Sequence, residues 1–258
     1  MRVAVVGKGG AGKSTLSGTM ARLVGRSGAP VLVIDSDHLP GLTLSLGSGP
    51  EPAVPPLLAA AEQDEKGQWG WCEGINAARA AQLFATDAPD GVRLLQRGKV
   101  GAEGSRPITG ASRAMWEVVH GLVDAPEFAD WTLIGDLPAG PEQVAHDWAP
   151  YAHTYVVVVI PSMQSALTAR RVARLARLQS PNAAIRFVAN RVRDERDERH
   201  VEKLVGEPLF ASIPADPGVA AAERIGVAPI DHAPDAPAIA AVQRLVTALA
   251  ERSPARRT

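Results

Sequence analysis

The sequence predicts an α/β protein built on a doubly wound, mostly parallel sheet with helices on both faces. Two observations predict it. Short β-branched apolar runs recur at intervals long enough to hold a helix, the alternation expected of a sheet buried on both sides. Several of these runs also end in Gly, Asp, Pro or Asn, and in open α/β sheets ligands bind beyond the carboxyl ends of the strands.

The elements follow in order. The run 2–6 (RVAVV) reads as a strand, and the glycine-rich stretch after it opens a helix over 13–26. The run 31–35 (VLVID) is a second strand. Residues 47–72 are rich in Pro, Gly and Ala around a polar centre, Gln63-Asp64-Glu65-Lys66-Gly67, and predict a helix flanked by loops. A strand at 92–96 (VRLLQ) leads into 97–107 (RGKVGAEGSRP), which has no periodicity and predicts a loop on the ligand edge. Helical spacing returns at 108–123, 163–179, 197–205 and 237–251. Strands are predicted at 132–136 (TLIGD), 154–160 (TYVVVVI), 184–189 (AIRFVA) and 208–213 (PLFASI). Gly7, Asp35, Asp136, Pro161 and Asn190 then converge on one sheet edge. One domain is expected over 1–252, with 253–258 a frayed basic tail.

Composition excludes several classes. With 258 residues, 46% hydrophobic and 21% charged, the chain is long enough to bury roughly 70 to 75% of its unfolded surface and needs no covalent staples. The single cysteine, Cys72, excludes an intrachain disulfide and any multi-thiolate metal site within one chain; it reads as a packed small hydrophobe. Lys+Arg 27 against Asp+Glu 28 gives a net charge of −1, which argues against binding nucleic acid through the overall field. No signal-like leader and no apolar run of about 18 residues is seen, so a cytoplasmic protein without integral membrane contact is expected.

The first strand is followed directly by Gly7-Lys8-Gly9-Gly10-Ala11-Gly12-Lys13-Ser14-Thr15, a full match to G-x-x-x-x-G-K-[ST] in its strand–loop–helix setting. The glycines let backbone N–H groups point inward, and the helix adds its positive end, so the loop cradles phosphate oxygens. Lys13 is placed to bridge β- and γ-phosphates, and the Ser14 hydroxyl to ligate Mg²⁺. Two of the chain's five lysines, Lys8 and Lys13, lie in this loop.

The string from Lys8 to Thr15 resembles the deviant Walker A loop, KGGxGK[ST], of the MinD/ParA family of dimeric ATPases. The resemblance implies ATP and Mg²⁺ as ligands, with Gly9, Gly10, Ala11, Gly12, Lys13, Ser14 and Thr15 on the phosphates. It also implies an ATP-dependent homodimer in which Lys8 reaches the nucleotide of the other subunit. Val31-Leu32-Val33-Ile34-Asp35-Ser36-Asp37 resembles the family's DxD switch I, which puts Asp37 at the attacking water and the magnesium shell; His38 stands where the family places Pro, and Pro40 comes two later. Asp136-Leu137-Pro138-Ala139-Gly140 resembles the switch II motif DxPAG, which implies that Asp136 holds magnesium through water. Phe187-Val188-Ala189-Asn190-Arg191 and Ile213-Pro214-Ala215-Asp216-Pro217 are similar to the two purine-contacting segments, implying base contacts from Asn190, Arg191, Pro214 and Asp216.

The motif order fits the CooC type best, ATPases that assist nickel insertion into carbon monoxide dehydrogenase, and implies an accessory or maturation role toward a client protein, a metalloenzyme by analogy. That type carries a Cys-x-Cys pair in the loop matching 97–107, whereas this loop has neither cysteine nor histidine, so the metal-carrier role is not carried over. A ParA/MinD-type partition or positioning role is the alternative. It rests on Arg170, Arg174 and Arg177, a stripe at i, i+4, i+7 that either contacts DNA phosphates or is a solvated helix face. Ile239, Val242, Leu245, Val246 and Leu249 share one face of the last helix, which is Ala-rich, lacks aromatics and reads as core packing rather than a membrane anchor. The run Arg193 to His200 reads as a solvated helix start.

Overall fold

A strand such as Val31–Asp35 is apolar on both of its faces, so it is stable only where both are covered. The computed structural model describes residues 1–37, 41–49, 56–98 and 106–252. Its elements are β1 (Arg2–Gly7), α1 (Lys13–Arg26), β2 (Val31–Asp35), α2 (Leu42–Leu46), β3 (Ala61–Gln63), β4 (Trp69–Trp71), α3 (Ala77–Phe84), β5 (Thr86–Asp87), β6 (Val92–Gln96), α4 (Arg106–Gly121) and β7 (Thr132–Asp136). There follow α5 (Glu142–Ala145), β8 (Thr154–Val159), α6 (Met163–Gln179), β9 (Ala184–Val192), α7 (Glu195–Val205), β10 (Ala211–Pro214), α8 (Pro217–Ile225), α9 (Pro229–His232) and α10 (Pro237–Glu251).

The main sheet runs β10-β9-β8-β1-β7-β2-β6-β5, all parallel except the edge strand β5, which is antiparallel to β6. Alternation assigns the two faces. Val3, Val5, Val31 and Val33 point to one side and pack with Leu16 and Met20 of α1 and Val242 and Leu245 of α10. Ala4, Val6, Leu32 and Ile34 point to the other, against Met115 and Val118 of α4 and Val172 of α6. The apolar face of the last helix is therefore spent on the core: Ile239, Val242, Leu245, Val246 and Leu249 are all buried. Among the described residues no helix is long and apolar enough to cross a membrane.

The seven predicted strands of the parallel sheet are present, shifted at most three residues at an end. The helix expected within 47–72 is not found among the described residues of that segment. That segment, where described, forms a 3-10 turn at Pro56–Ala60 and an antiparallel hairpin of β3 and β4. The physical reason is its polar centre: the Asp64 carboxylate accepts the Lys66 and Gln68 backbone N–H groups at 2.9 and 2.7 Å, and Gly67 takes φ +76°, so the chain reverses where a helix would have continued. The loop expected at 97–107 gives way to α4 at Arg106, two residues ahead of the predicted start, and its residues 99–105 lie outside the described residues, as do His38, Pro40 and the tail 253–258. The Arg193–His200 run is a solvated helix start as expected, capped by Asp194 and laced by Arg193–Asp197 and Arg199–Glu195 pairs.

One buried cation ties α1 to α2, α9 and the turn before β6. Arg22 is 3% exposed and donates to Asp90, Asp231 and the Leu46 carbonyl, while Arg26 joins both carboxylates. Burial opposes the charge on Asp90, but the hydrogen bonds and charges of Arg22 and Arg26 outweigh it and hold its carboxyl below the ordinary value. The native state then binds fewer protons at Asp90 than the unfolded chain, so this stabilisation is full above about pH 4 to 5 and is lost as pH falls through the depressed value. Asp90→Asn is expected to cost about 1–3 kcal/mol at pH 7, with the deficit narrowing below about pH 4; urea unfolding of both proteins across this range measures it, and a deficit independent of pH would contradict the assignment.

Candidate functional site

The loop between β1 and α1 is held open by glycines. Gly12 caps α1 at φ +89°, a left-handed conformation, and a Cβ there would lie 2.4 Å from Asn190 Nδ2. Gly7 approaches its neighbour strand so closely that a Cβ would sit 2.5 Å from the Val158 carbonyl oxygen. Ala11 N–H donates to the Lys8 carbonyl at 3.2 Å and closes the turn. The first turn of α1 contains no acidic residue, so its positive end and the buried residue Lys13 face no anion of their own helix. Lys8 to Thr15 thus form one continuous segment of turn and helix start, an arrangement whose N–H groups and cation suit an anion.

An acidic edge lies beside it. Parallel register sets Asp35 opposite Asp136, and Asp136 opposite Val5, so both carboxylates end their strands next to the loop. Asp136 is 2% exposed. Burial pushes its carboxyl up to about 6, aided by Asp37, against hydrogen bonds from Ser14 and Ser17 and the attraction of Lys13. Ser17 Oγ donates to it at 3.2 Å. Asp37 is half-buried, and its backbone N–H donates to Asp35 Oδ1 at 3.1 Å. Ser14 hydroxyl, Asp136 and Asp37 are hard oxygen donors around a crowded negative centre, a set that fits a small divalent cation. Among the described residues no group of three or more His, Cys, Asp or Glu that could hold a metal occurs. Phosphate oxygens and water commonly complete the coordination shell of Mg²⁺.

A cavity of about 410 Å³ opens behind the loop. It is lined by Gly12, Thr15, Leu16 and Thr19 on one side, Asn190, Arg191, Pro214 and Asp216 on the others, and Val219 and Glu223 of α8. All four residues expected at a base thus line one apolar pocket beside the loop between β1 and α1. Three of the four side chains, those of Asn190, Arg191 and Asp216, are already engaged. Asn190 donates to the Ala11 carbonyl at 2.8 Å and accepts from the Arg191 N–H at 3.0 Å, which ties the end of β9 to the loop. Asp216 caps α8, accepting from Gly218 and Val219 at 2.8 and 3.2 Å. Arg191 has φ +58°, a conformation that costs a non-glycine residue energy and is held here by its neighbours.

Several residues of the site carry no motif. Glu223 accepts from Thr15 Oγ1 at 2.6 Å and pairs with Arg191 at 3.3 Å, spanning the pocket mouth; only its spacing seven residues after Asp216, on one helical face, could have pointed to it. Ser17 lies one helical turn beyond Ser14, the signal that a second hydroxyl faces Asp136. Elsewhere, Cys72 is half-buried with Sγ 3.6 Å from the Ala59 carbonyl. Arg170 and Arg174 are exposed on α6, and Arg177 pairs with Glu207 at 2.7 Å.

Comparison with known proteins agrees with this arrangement. The family model for the CobQ/CobB/MinD/ParA nucleotide binding domain matches residues 3–230. An uncharacterised ATP-binding protein of Methanocaldococcus jannaschii is 27% identical over 238 residues, covering 88% of this chain and 90% of its own. The carbon monoxide dehydrogenase accessory protein CooC of Rhodospirillum rubrum is 27% identical over 244 residues, 91% of each chain. The cell division ATPase MinD of Pyrococcus furiosus superposes with a TM-score of 0.73 at 26% identity, over 98% of this chain and 99% of that one. With a P-loop, two acidic strand ends and a base-sized pocket on one sheet edge, and the family model spanning nearly all of it, the chain belongs to the CobQ/CobB/MinD/ParA nucleotide-binding domain family.

Proposed function

We propose that the protein is a Mg²⁺-dependent ATPase that works as a nucleotide-controlled homodimer on a partner protein, in the manner of an accessory factor. The observation that carries the reading is the buried Lys13 at the open end of α1, one residue from a Ser14 hydroxyl bonded to the buried Asp136. A cation, a hydroxyl and a carboxylate at one helix start are the parts that phosphoryl transfer requires. In this reading Lys13 holds the β- and γ-phosphates, and Gly9, Gly10, Ala11, Gly12 and Thr15 offer N–H and hydroxyl groups to the phosphate oxygens. Ser14, Asp37 and Asp136 would hold Mg²⁺, which neutralises charge developing on the phosphates. Asp37 orients the attacking water. Asn190, Arg191, Pro214 and Asp216 enclose the base, with Asn190 exchanging its bond to Ala11 for the purine edge.

The accessory role is supported by the likeness to the Rhodospirillum rubrum accessory protein, over 91% of both chains. Transition-metal carriage is not part of the proposal, because the chain's one thiol stands alone, and a soft metal needs several.

Lys8 is assigned to the nucleotide of the partner subunit, where a second cation stabilises the transferring phosphoryl group only once the dimer has formed. Lys8→Ala is expected to bind a fluorescent ADP analogue within about threefold of the parent protein. Its ATP turnover falls at least about 100-fold, and ATP-dependent dimerisation in size-exclusion chromatography disappears. Dimerisation and turnover at parental levels would refute the assignment in trans.

A further inference from the structure

We propose that Gln143 and Arg97 are positioning residues for hydrolysis: together they clasp the carbonyl of Ser36 and so fix the peptide that carries Asp37. The inference rests on the ATPase reading above and adds to it two residues that no motif contains.

Ser36 sits between the two acidic residues at the end of β2 and is 1% exposed. Its carbonyl accepts from Gln143 Nε2 at 3.0 Å and from Arg97 NH1 at 3.3 Å. Its hydroxyl donates to Gln143 Oε1 at 2.6 Å, and its N–H to the Asp136 carbonyl at 3.2 Å. Gln143 is itself buried, and both ends of its amide are used on Ser36, which fixes the amide's orientation. The clasped carbonyl belongs to the same planar peptide as the Asp37 nitrogen, so holding the oxygen fixes the Asp37 nitrogen and Cα as well. The other pole of that peptide is held too, because Asp37 N–H donates to Asp35 Oδ1.

The clasp also joins three separate pieces of the site. Gln143 lies in α5, three residues after Gly140, whose N–H donates to the Gly7 carbonyl at 3.1 Å and which, as a glycine at φ +92°, can take up other backbone conformations at little steric cost. Arg97 leaves the end of β6 with its N–H on the Asp35 carbonyl at 2.9 Å. Its Nε donates to Ser112 of α4 at 2.7 Å, and its guanidinium lies 5.2 Å from the centre of the Trp148 ring. Burial opposes its charge and pushes its pKa below the ordinary value, with Asp37 and Glu142 attracting the cation against that. A guanidinium suits this place because its planar fork reaches a hydroxyl, a carbonyl and a ring face at once. Any movement at Gly140 that shifts α5 thereby pulls on the Asp37 peptide, coupling the two switch segments through a buried amide.

A residue that only fills space would not separate turnover from binding. The full-length protein and its Gln143→Ala, Arg97→Ala and Arg97→Lys variants are compared in steady-state ATP hydrolysis, in affinity for a fluorescent ADP analogue, and in amide hydrogen exchange of the peptide containing Ser36 and Asp37. Gln143→Ala is expected to lower kcat about 10- to 100-fold, with KM and ADP affinity within about twofold and exchange of that peptide about tenfold faster. Arg97→Ala should show a smaller loss of the same kind, and Arg97→Lys should recover part of it. If Gln143→Ala does not fold, the two Arg97 variants carry the test. An unchanged kcat, or a kcat and ADP affinity that fall in parallel with Tm, overturns the proposal. If the parent protein shows no turnover above a Lys13→Ala background, the ATPase reading fails instead, and exchange alone decides whether the clasp holds the peptide; unchanged exchange rejects it.

Discussion

Replacing Lys13 with Ala is expected to lower ATP turnover by about 10²–10³-fold and to weaken binding of a fluorescent ADP analogue at least about tenfold. Lys13 is buried at the start of α1, in a turn without acidic residues, so its charge acts on a bound phosphate with less screening than an exposed lysine would. Its removal also takes away one of the attractions that keep the Asp136 carboxylate charged. The variant therefore loses both its phosphate contact and part of the charge balance of the neighbouring carboxylate. Lys13→Arg is not expected to rescue it, since a planar fork does not fit a slot shaped for a point charge. Circular dichroism should show both variants folded, because the loop conformation is set by Gly7 and Gly12 and not by the lysine. Parental turnover and ADP affinity in Lys13→Ala would remove the basis of the functional proposal.

What could be read from sequence depended on whether consecutive residues carried the signal. β1, β2 and β7 were legible because a buried parallel strand is a short β-branched run, and the phosphate loop because all its groups lie within nine residues. The edge strand β5 spans two residues, Thr86 and Asp87, and owes its existence to the antiparallel partner Leu94 rather than to any pattern of its own. Helix α8 is short and Ala-rich and buries only Ala222, so its sequence signals it weakly; it is specified by the Asp216 cap and by Pro at its first position.

The same division holds within the site. Asp37 and Asp136 stand in motifs, but the groups that hold them in place come from distant segments: Arg97 from the end of β6, Gln143 from α5, Ser17 from the second turn of α1. Glu223 reaches Thr15 across 208 positions of sequence. Each is a polar residue in an ordinary-looking stretch, and only tertiary packing turns it toward the chemistry.

Gly135→Ala is expected to destabilise the protein by roughly 3 kcal/mol, and Tyr151→Phe to recover at least about half of that loss in the double variant. A Cβ on Gly135 would sit 2.0 Å from Tyr151 Oη, a distance that demands movement. Neither side can give way easily. Gly135 is in β7, hydrogen-bonded between β1 and β2 with Ala4 and Ile34 alongside, and the Tyr151 ring is 1% exposed. The hydroxyl itself contributes little, since among the described residues it has no hydrogen-bond partner and burial drives its pKa upward. Tyr151→Phe alone should therefore change stability by less than about 1 kcal/mol, with loss of an unpaired buried polar group offsetting the small void. Once the oxygen is gone the nearest atoms to the new methyl are the ring Cζ at 3.2 Å and Leu137 Cδ1 at 3.3 Å, tight contacts that small adjustments relieve. The two substitutions are then coupled by about 1–3 kcal/mol, which a double-mutant cycle in urea reads directly. Additive effects would show that the strand end tolerates a side chain by shifting as a whole. Because Asp136 follows Gly135 immediately, that shift would also displace the carboxylate expected to hold magnesium, and Gly135→Ala would lose ATP turnover even where it stays folded.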